Sequence, residues 1–190
     1  AAQYSFENDY TDSSGHGLSG TPAGGVPSFV NGLAGNGSAV SLNGVDDYVE
    51  LPIGGVVASA DSITIACWAD FSNEGGAWQR VWDFGSGQDA NPYMFLCPRV
   101  NTAGPIRFAI RSATVGEQII ESPSTLASDW QHVAVVIDGQ TMTMTLYVNG
   151  SVVAEGSTQV LASDLGNTTQ NYVGASQYAA DALYQGSVDE

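Results

Sequence analysis

The fold of this chain can be worked out from one stretch, Trp130-Gln-His-Val-Ala-Val-Val-Ile-Asp-Gly139 with its continuation Thr141-Met-Thr-Met-Thr-Leu-Tyr-Val-Asn-Gly150. Residues 130–137 are largely β-branched or apolar without helical spacing, and residues 141–148 place Met, Leu and Val at every second position. Both patterns predict strands. Asp138-Gly139 predicts the corner between them, and Asn149-Gly150 predicts a type I′ hairpin turn, which needs φ > 0 twice. The stretch therefore predicts an antiparallel meander with one face on a core.

Short runs of the same kind recur along the rest of the chain. The glycine-, serine- and proline-rich residues 11–25 are predicted to form a long loop, and residues 53–61 a connection. Strands are predicted near 3–7, 28–30, 38–42, 47–51, 62–70, 79–84, 93–97, 106–111, 117–121, 171–175 and 184–190. Many short strands bounded by turn residues predict an all-β fold, a two-sheet antiparallel β-sandwich of the jelly-roll type.

The length and composition are those of one domain. The chain has 190 residues, of which 43% are hydrophobic and only 13% charged, and a domain of this length buries roughly 70% of its unfolded surface. No apolar run is long enough for a membrane-spanning helix. We therefore predict a single domain over residues 1–190 and no membrane insertion. Ala1-Ala2-Gln3 resembles the end left by signal-peptide cleavage at small residues, which would indicate export.

The charge balance is strongly acidic and limits the choice of partner. Twenty Asp and Glu oppose four Arg and Lys, which gives a net charge of −16. Nucleic acid is not expected to bind, because phosphate recognition depends on clustered Lys and Arg. Anionic membranes and sulfated or uronic polymers are disfavoured for the same reason, unless a bound cation reverses the local field. The acidity predicts high solubility and is compatible with calcium binding.

Two cysteines leave two alternatives open. Cys67 and Cys97 both lie in predicted strands. In an exported protein they would be able to pair as a disulfide, whereas cysteine is also a common small buried hydrophobe.

Several motifs resemble the laminin-G-like members of the concanavalin A-like lectin/glucanase superfamily. The first is the Trp-x-His-Val-Ala-Val strand, its Asp-Gly turn and the following Leu-Tyr-Val-Asn-Gly. The others, in the family's order, are Tyr4-Ser-Phe-Glu7 with Asp12-Ser-Ser-Gly15, Gly35-Asn-Gly-Ser-Ala-Val-Ser-Leu-Asn-Gly-Val-Asp-Asp-Tyr-Val-Glu-Leu-Pro52, Ser62-Ile-Thr-Ile-Ala-Cys-Trp68, Asn171-Tyr-Val-Gly-Ala-Ser176 and Leu183-Tyr-Gln-Gly-Ser-Val-Asp-Glu190. The resemblance covers nearly the whole chain and implies a concanavalin A-like jelly roll.

The resemblance also implies a departure at the last strand. In the family the motif matching Val188-Asp189-Glu190 normally continues for several apolar residues that complete the final strand. This predicts that the chain is a fragment of a longer protein or lacks part of its last strand.

A structural calcium ion is a further implication of the resemblance. Calcium binds about six to eight oxygen atoms from carboxylates and carbonyls of separate loops. Matched to the family's site on the convex side, the ligands would be Glu7, the Gly44 carbonyl, Asp46 and Asp189, with Asp12 as a further loop ligand. The alternative is that Asp12 and Asp46 cap turns by accepting hydrogen bonds from their own backbone.

The best candidate for ligand binding is the run Ala77-Trp-Gln-Arg-Val-Trp-Asp83. Sugars present flat C–H faces that stack on aromatic rings and hydroxyls that pair with planar polar groups. Trp78, Arg80 and Trp82 are predicted to share one strand face, with Tyr93 and the arginines of 106–111 on neighbouring strands. The alternative for Trp82 is burial, because family members commonly bury the aromatic residue at its position.

No catalytic arrangement is visible. The related glucanases carry Glu-x-Asp-x-x-Glu on one strand, so that two carboxylates flank the glycosidic bond, and this motif is missing. We therefore expect a non-catalytic recognition module, secreted or on the cell surface, that is lectin-like and binds a glycan or surface polymer. The alternative is a structural or cell-adhesion domain of a surface appendage, filament or capsid that contacts other protein subunits. A third hypothesis, an enzyme, would need active-site residues beyond residue 190.

Overall fold

Two antiparallel sheets of seven strands each form the architecture in the computed structural model, which describes residues 1–33, 37–72, 75–89, 91–101 and 104–190. Gly35 and Asn36, which open one of the family-like motifs, lie outside these ranges. In spatial order, sheet A consists of β1 (Thr21–Gly24), β4 (Asp47–Glu50), β13 (Gln170–Val173), β6 (Trp82–Gly85), β7 (Tyr93–Cys97), β8 (Arg107–Arg111) and β9 (Gln118–Glu121).

Sheet B faces sheet A across the core. Its strands, in spatial order, are β12 (Ser151–Ser157), β11 (Thr143–Val148), β10 (Trp130–Asp138), β5 (Ile63–Asp70), β14 (Gln185–Asp189), β3 (Ser38–Asn43) and β2 (Ser28–Asn31). The predicted all-β sandwich is therefore confirmed.

Two short helical segments connect the sheets. Helix α1 spans Gly54–Ala58, within the predicted connection, and a 3-10 helix spans Ala162–Leu165. The two contact each other, and the Ser163 N–H donates to the Ala60 carbonyl at 3.0 Å. No helix within the described ranges is long and apolar enough to cross a membrane.

The central meander forms as its sequence predicts, except that β11 begins at Thr143, because Met142 (φ 54°) adopts a left-handed conformation and is 36% exposed. Strand β10 pairs with β5 on one side and with β11 on the other. The turn between β11 and β12 has positive φ at both Asn149 (49°) and Gly150 (76°), as a type I′ turn requires. Because β-strand side chains alternate, Val133, Val135 and Ile137 of β10 all point inwards and are at most 1% exposed.

The core lies between the inward faces of the two sheets. Sheet B contributes the alternating residues of β10 together with Met144 and Leu146, and sheet A contributes Met94, Leu96 and Phe108. None of these side chains is more than 1% exposed. Burial of this apolar surface supplies the main driving force for closing the sandwich.

The N-terminal quarter differs from the prediction in two places. Residues 3–7, all of them described, form an isolated bridge from Tyr4 to Asp12 and no strand, because Phe6 (φ 48°) and Asn8 (φ 61°) adopt left-handed conformations. Conversely, the predicted loop at 11–25 contains β1. Its Pro22 and Gly24 disfavour a strand assignment from sequence, yet β1 occupies the edge of sheet A, where proline is tolerated.

The two cysteines do not pair. Both are free and buried. Cys67 lies in the main core on β5, whereas Cys97 lies in a small cluster on the opposite face of sheet A. A sheet therefore separates the two thiols. Of the two alternatives, the structure supports the second, in which both cysteines are small buried hydrophobic residues.

Candidate functional site

The outward face of sheet A carries a second, smaller cluster of buried side chains. All five residues of β7 are buried, and they alternate between two environments: Met94 and Leu96 enter the main core, while Tyr93, Phe95 and Cys97 point outwards. Without a covering layer, these apolar side chains would be exposed to solvent. It is covered by the segment before β6 and by the loop between β13 and β14, which contributes Tyr178.

A cavity of about 240 Å³ opens on this covered face, and we call it the outer cavity. Its lining combines aromatic rings with charged groups of both signs. The lining residues are Trp78, Arg80, Tyr93, Phe95, Arg107, Glu117, Tyr178 and Asp181.

Arg80 holds the floor of the outer cavity together. Its side chain is only 3% exposed, and its guanidinium lies 4.0 Å from the centroid of the Phe95 ring. Nη1 donates to the Trp78 carbonyl at 2.7 Å, and Nη2 donates to Asp181 Oδ2 at 2.9 Å. One buried cation thus ties two separate loops to sheet A.

Asp83 lies beneath Arg80 and is fully buried. Its Oδ2 accepts the Gln177 N–H at 3.0 Å and lies 3.5 Å from Arg80 Nε, while Oδ1 has no hydrogen-bond partner within the described part of the chain. Burial raises the pKa of Asp83 to about 7, against the lowering effects of the Gln177 hydrogen bond and the Arg80 charge. The carboxyl beneath the cavity therefore titrates near neutral pH.

Trp78 is the exposed aromatic residue of the site. It is 37% exposed, and its φ of 64° is a conformation that bulky side chains rarely adopt. The strained backbone is held on both sides, since the Trp78 N–H donates to the Arg99 carbonyl at 2.8 Å and the Trp78 carbonyl accepts from Arg80. The guanidiniums of Arg80 and Arg107 lie 5.6 and 5.2 Å from the ring centroid, within cation–π range.

Fixed polar groups surround the indole. The Tyr93 hydroxyl donates to Glu117 Oε2 at 2.7 Å, and burial, followed by this hydrogen bond, raises the pKa of Tyr93. Arg107 donates to Glu121 Oε1 through both Nε and Nη2, each at 2.6 Å. Donors and acceptors are thus held in place around a partly exposed ring.

Three of the four predicted ligand-binding residues come together at the outer cavity. Trp78, Arg80 and Tyr93 line it, although Arg80 lies largely beneath its surface. Trp82 does not join them, and its predicted shared face with Trp78 and Arg80 is wrong. It is 3% exposed in the main core, stacked 4.9 Å from Phe84. The prediction assumed alternation from residue 79, but Val81 is also in the core and the strand begins only at Trp82.

Tyr178 and Asp181 were missed. They come from a polar loop about a hundred residues after Arg80, and no local pattern links them to it. The only available signal is chemical: four Arg are the entire cationic complement of the chain, so each buried one needs a carboxylate.

The residues predicted to bind calcium do not form one group. Gly44 and Asp46 lie in the turn between β3 and β4, at the end of β14 where that strand begins. Glu7 accepts the Ser38 N–H at 3.0 Å and interacts electrostatically with Asp189, at the other end of β14. Strand β14 runs four residue steps from Gln185 to Asp189, or about 13 Å, so one ion cannot contact both ends.

Asp12 also stands apart from this predicted set. Its carboxylate accepts the N–H groups of Gln3, Ser14 and Leu18 at 3.1, 2.9 and 3.1 Å, so it caps its own loop. Hydrogen bonds, above all from Ser14, hold the pKa of Asp12 well below its usual range. Among the described residues no three His, Cys, Asp or Glu side chains are grouped to hold a metal ion. Calcium binding stays a prediction, and we place it at the Glu7–Asp189 end of β14, where two of the predicted carboxylates interact.

Comparison with known proteins identifies the family. A sequence profile of the laminin G type, from the concanavalin A-like lectin/glucanases superfamily, matches residues 43–190. The chain belongs to this superfamily. No curated protein matches its sequence significantly.

Several solved structures share the fold of this chain. Domain 4 of AbnA, a GH43 extracellular arabinanase from Geobacillus stearothermophilus solved in complex with arabinotriose, is 22% identical with a TM-score of 0.78, over 99% of this chain and 88% of that one. The CBM40 of the Ruminococcus gnavus IT-sialidase is 17% identical with a TM-score of 0.65, over 80% and 86% of the two chains. The same CBM40 bound to α2,3-sialyllactose is 16% identical with a TM-score of 0.63, over the same shares.

Proposed function

We propose that this chain is a non-catalytic carbohydrate-binding module that holds its glycan in the outer cavity. The observation that carries the proposal is the partly exposed indole of Trp78, fixed in a strained conformation beside Arg107 and the Tyr93–Glu117 pair. Backbone strain of this kind persists where the surrounding structure enforces it, and it is concentrated at binding sites. Sugar C–H faces stack on such a ring while hydroxyls pair with its polar rim.

The similar structures support a glycan as the ligand class. One was solved with arabinotriose and another with sialyllactose, and both belong to proteins that act on glycans. The arabinanase is extracellular, which supports extending the proposal to a secreted or cell-surface protein.

The carboxylates of the outer cavity support a binding role over a catalytic one. Glu117 accepts the Tyr93 hydroxyl, and Asp181 accepts from both Arg80 and Ser176. Glycoside hydrolysis needs two carboxyl groups that face the scissile bond, one of them able to donate a proton. Here both carboxylates hold the walls of the cavity instead.

Replacing Trp78 by Ala tests the proposal. Screening soluble oligosaccharides, arabinotriose among them, by isothermal titration calorimetry should identify a ligand. Trp78→Ala should then weaken its binding by about tenfold or more, since the ring supplies the stacking surface. The melting temperature should fall little, because Trp78 lies outside the main core.

The matched control is Trp130→Ala, which removes a partly exposed indole from sheet B and should leave affinity unchanged. Equal losses in the two variants, or full affinity in Trp78→Ala, would place the glycan elsewhere. Failure of every glycan to bind would reject the function itself and favour a protein-contact role.

A further inference from the structure

We infer that the outer cavity takes a single uncharged sugar ring and discriminates against acidic sugars. This inference rests on the proposed function and adds the size and charge of the sugar. It follows from the volume of the cavity and from the carboxylate partners of the two arginines that line it in the described part of the chain.

The volume sets the size. At about 240 Å³ the outer cavity is smaller than the roughly 300–1,000 Å³ of pockets that enclose drug-sized ligands. It has room for one sugar ring in contact with Trp78, and the rest of an oligosaccharide would extend away from it. Most of the binding free energy should therefore come from one residue of the glycan.

The cations of the cavity are already neutralised. Arg80 pairs with Asp181 at 2.9 Å and lies 3.5 Å from Asp83, and Arg107 pairs with Glu121 at 2.6 Å. An acidic sugar would compete with these internal carboxylates for the guanidiniums. A buried Arg80 cannot move to meet it, because its side chain is 3% exposed and stacked on Phe95.

The remaining field opposes an anion. The two lining cations are balanced by the lining carboxylates Glu117 and Asp181, so the cavity itself has no positive excess. The chain as a whole carries −16, and at moderate salt this field acts over about 8–10 Å. A neutral hydroxyl has neither penalty, because it can donate to the Glu117 carboxylate, which a sugar carboxylate cannot do.

Matched sugar pairs test the charge. D-galactose with D-galacturonic acid, and D-glucose with D-glucuronic acid, differ only in oxidation at C6. We expect whichever neutral sugar binds to exceed its acid by about tenfold or more in affinity at low salt, measured by calorimetry or ligand-observed NMR at pH 7.5. The gap should narrow in 0.5 M NaCl as the protein's field is screened. An acid that binds as tightly as its neutral partner would overturn the inference while leaving the proposed function standing.

Two isosteric variants locate the effect. Asp181→Asn removes a negative charge from the cavity wall and should narrow the neutral-to-acidic gap by about threefold or more. Glu155→Gln, on the exposed edge strand β12, changes the net charge equally and should leave the gap unchanged. An equal response in both would attribute the selectivity to net charge alone and overturn the assignment to the cavity.

The size is tested with arabinose against arabinotriose, or the corresponding series of the best ligand. Affinity should rise by less than about tenfold from one unit to three, because the outer cavity has room for only one ring. A steady tenfold gain per added unit would indicate an extended groove and overturn the single-ring inference. If no sugar of any kind binds, the proposed function fails first, and that result is distinct from either outcome.

Discussion

Arg80 is the residue on which the site depends, although little of it is exposed. A buried guanidinium is costly unless it is paired and hydrogen-bonded. Here Nη1 and Nη2 have partners, while Nε has none within hydrogen-bonding geometry among the described residues and lies 3.5 Å from Asp83. The bonds to the Trp78 carbonyl and to Asp181 use this charge to position two loops. Arg80 is therefore a positioning residue for the indole and for the cavity wall.

Asp83 should make the stability of the protein pH-dependent near neutrality. Its folded pKa of about 7 lies above the ordinary value of about 4. Between these values the folded state retains a proton that the unfolded state has released, so stability falls as the pH rises through this window, and the whole penalty is present above about pH 7. Asp83→Asn should remove this fall, a difference on the order of a few kcal/mol across the window.

Chemical denaturation at pH 5, 6, 7 and 8 measures this difference. The free energy of unfolding of Asp83→Asn, minus that of the wild type, should become more positive as the pH rises. It should stay flat for Glu155→Gln, an exposed control on β12. A flat difference for Asp83→Asn would mean that Arg80 keeps the carboxyl ionised throughout.

At the scale of elements, the sequence predicts best where the periodicity is uninterrupted. Strand β7 has the predicted bounds, 93–97, and β10 differs by one residue. The prediction fails where backbone conformation overrides side-chain pattern. Trp78 at φ 64° breaks the strand expected over 79–84, and left-handed Phe6 and Asn8 break the one expected at 3–7. The left-handed conformations of Trp78 and Phe6 cannot be read from side-chain type, because bulky residues rarely adopt them.

Trp82 lies in the main core and Trp78 lines the outer cavity, so replacing each should affect a different property. Trp82→Phe removes part of a buried indole that packs on Phe84 and Phe108, so it should lower the free energy of unfolding by about 1–3 kcal/mol. Glycan affinity should stay within about twofold. Trp78→Phe should show the opposite, with weaker binding and nearly unchanged stability. Loss of glycan binding in a stably folded Trp82→Phe variant would show that Trp82 contributes to the binding site.

At the scale of the whole molecule, the charges are divided unevenly. All four arginines lie on or next to the strands β6 to β8, whereas the twenty Asp and Glu are spread along the whole chain. The sequence shows the imbalance but not its placement. The chemistry of their side chains could identify Trp78, Arg80 and Tyr93 as candidates. Tyr178 and Asp181 reach the cavity only because the fold places the β13–β14 loop over sheet A. The fold was therefore more predictable than the site.

Repulsion among acidic side chains at the end of β14 makes the calcium prediction testable. Burial, and then the nearby charges of Glu190 and Glu7, raise the pKa of Asp189 at the end of β14. A divalent cation bound between Glu7 and Asp189 would relieve this repulsion and should raise the melting temperature by several degrees in millimolar CaCl₂ relative to EDTA. Screening of a charge of −16 would also stabilise the fold, but NaCl at equal ionic strength would reproduce that effect.

The comparison must therefore be made at matched ionic strength, with two isosteric variants. Asp189→Asn should abolish the calcium-specific part of the shift, because it removes one of the two interacting carboxylates. Asp46→Asn, at the far end of the same pair of strands, should keep it. If CaCl₂ and NaCl shift the wild type equally, the stabilisation is screening alone and calcium has no site here. If Asp46→Asn loses the shift and Asp189→Asn keeps it, the ion binds at the β3–β4 turn, and the assignment to Glu7 and Asp189 is wrong.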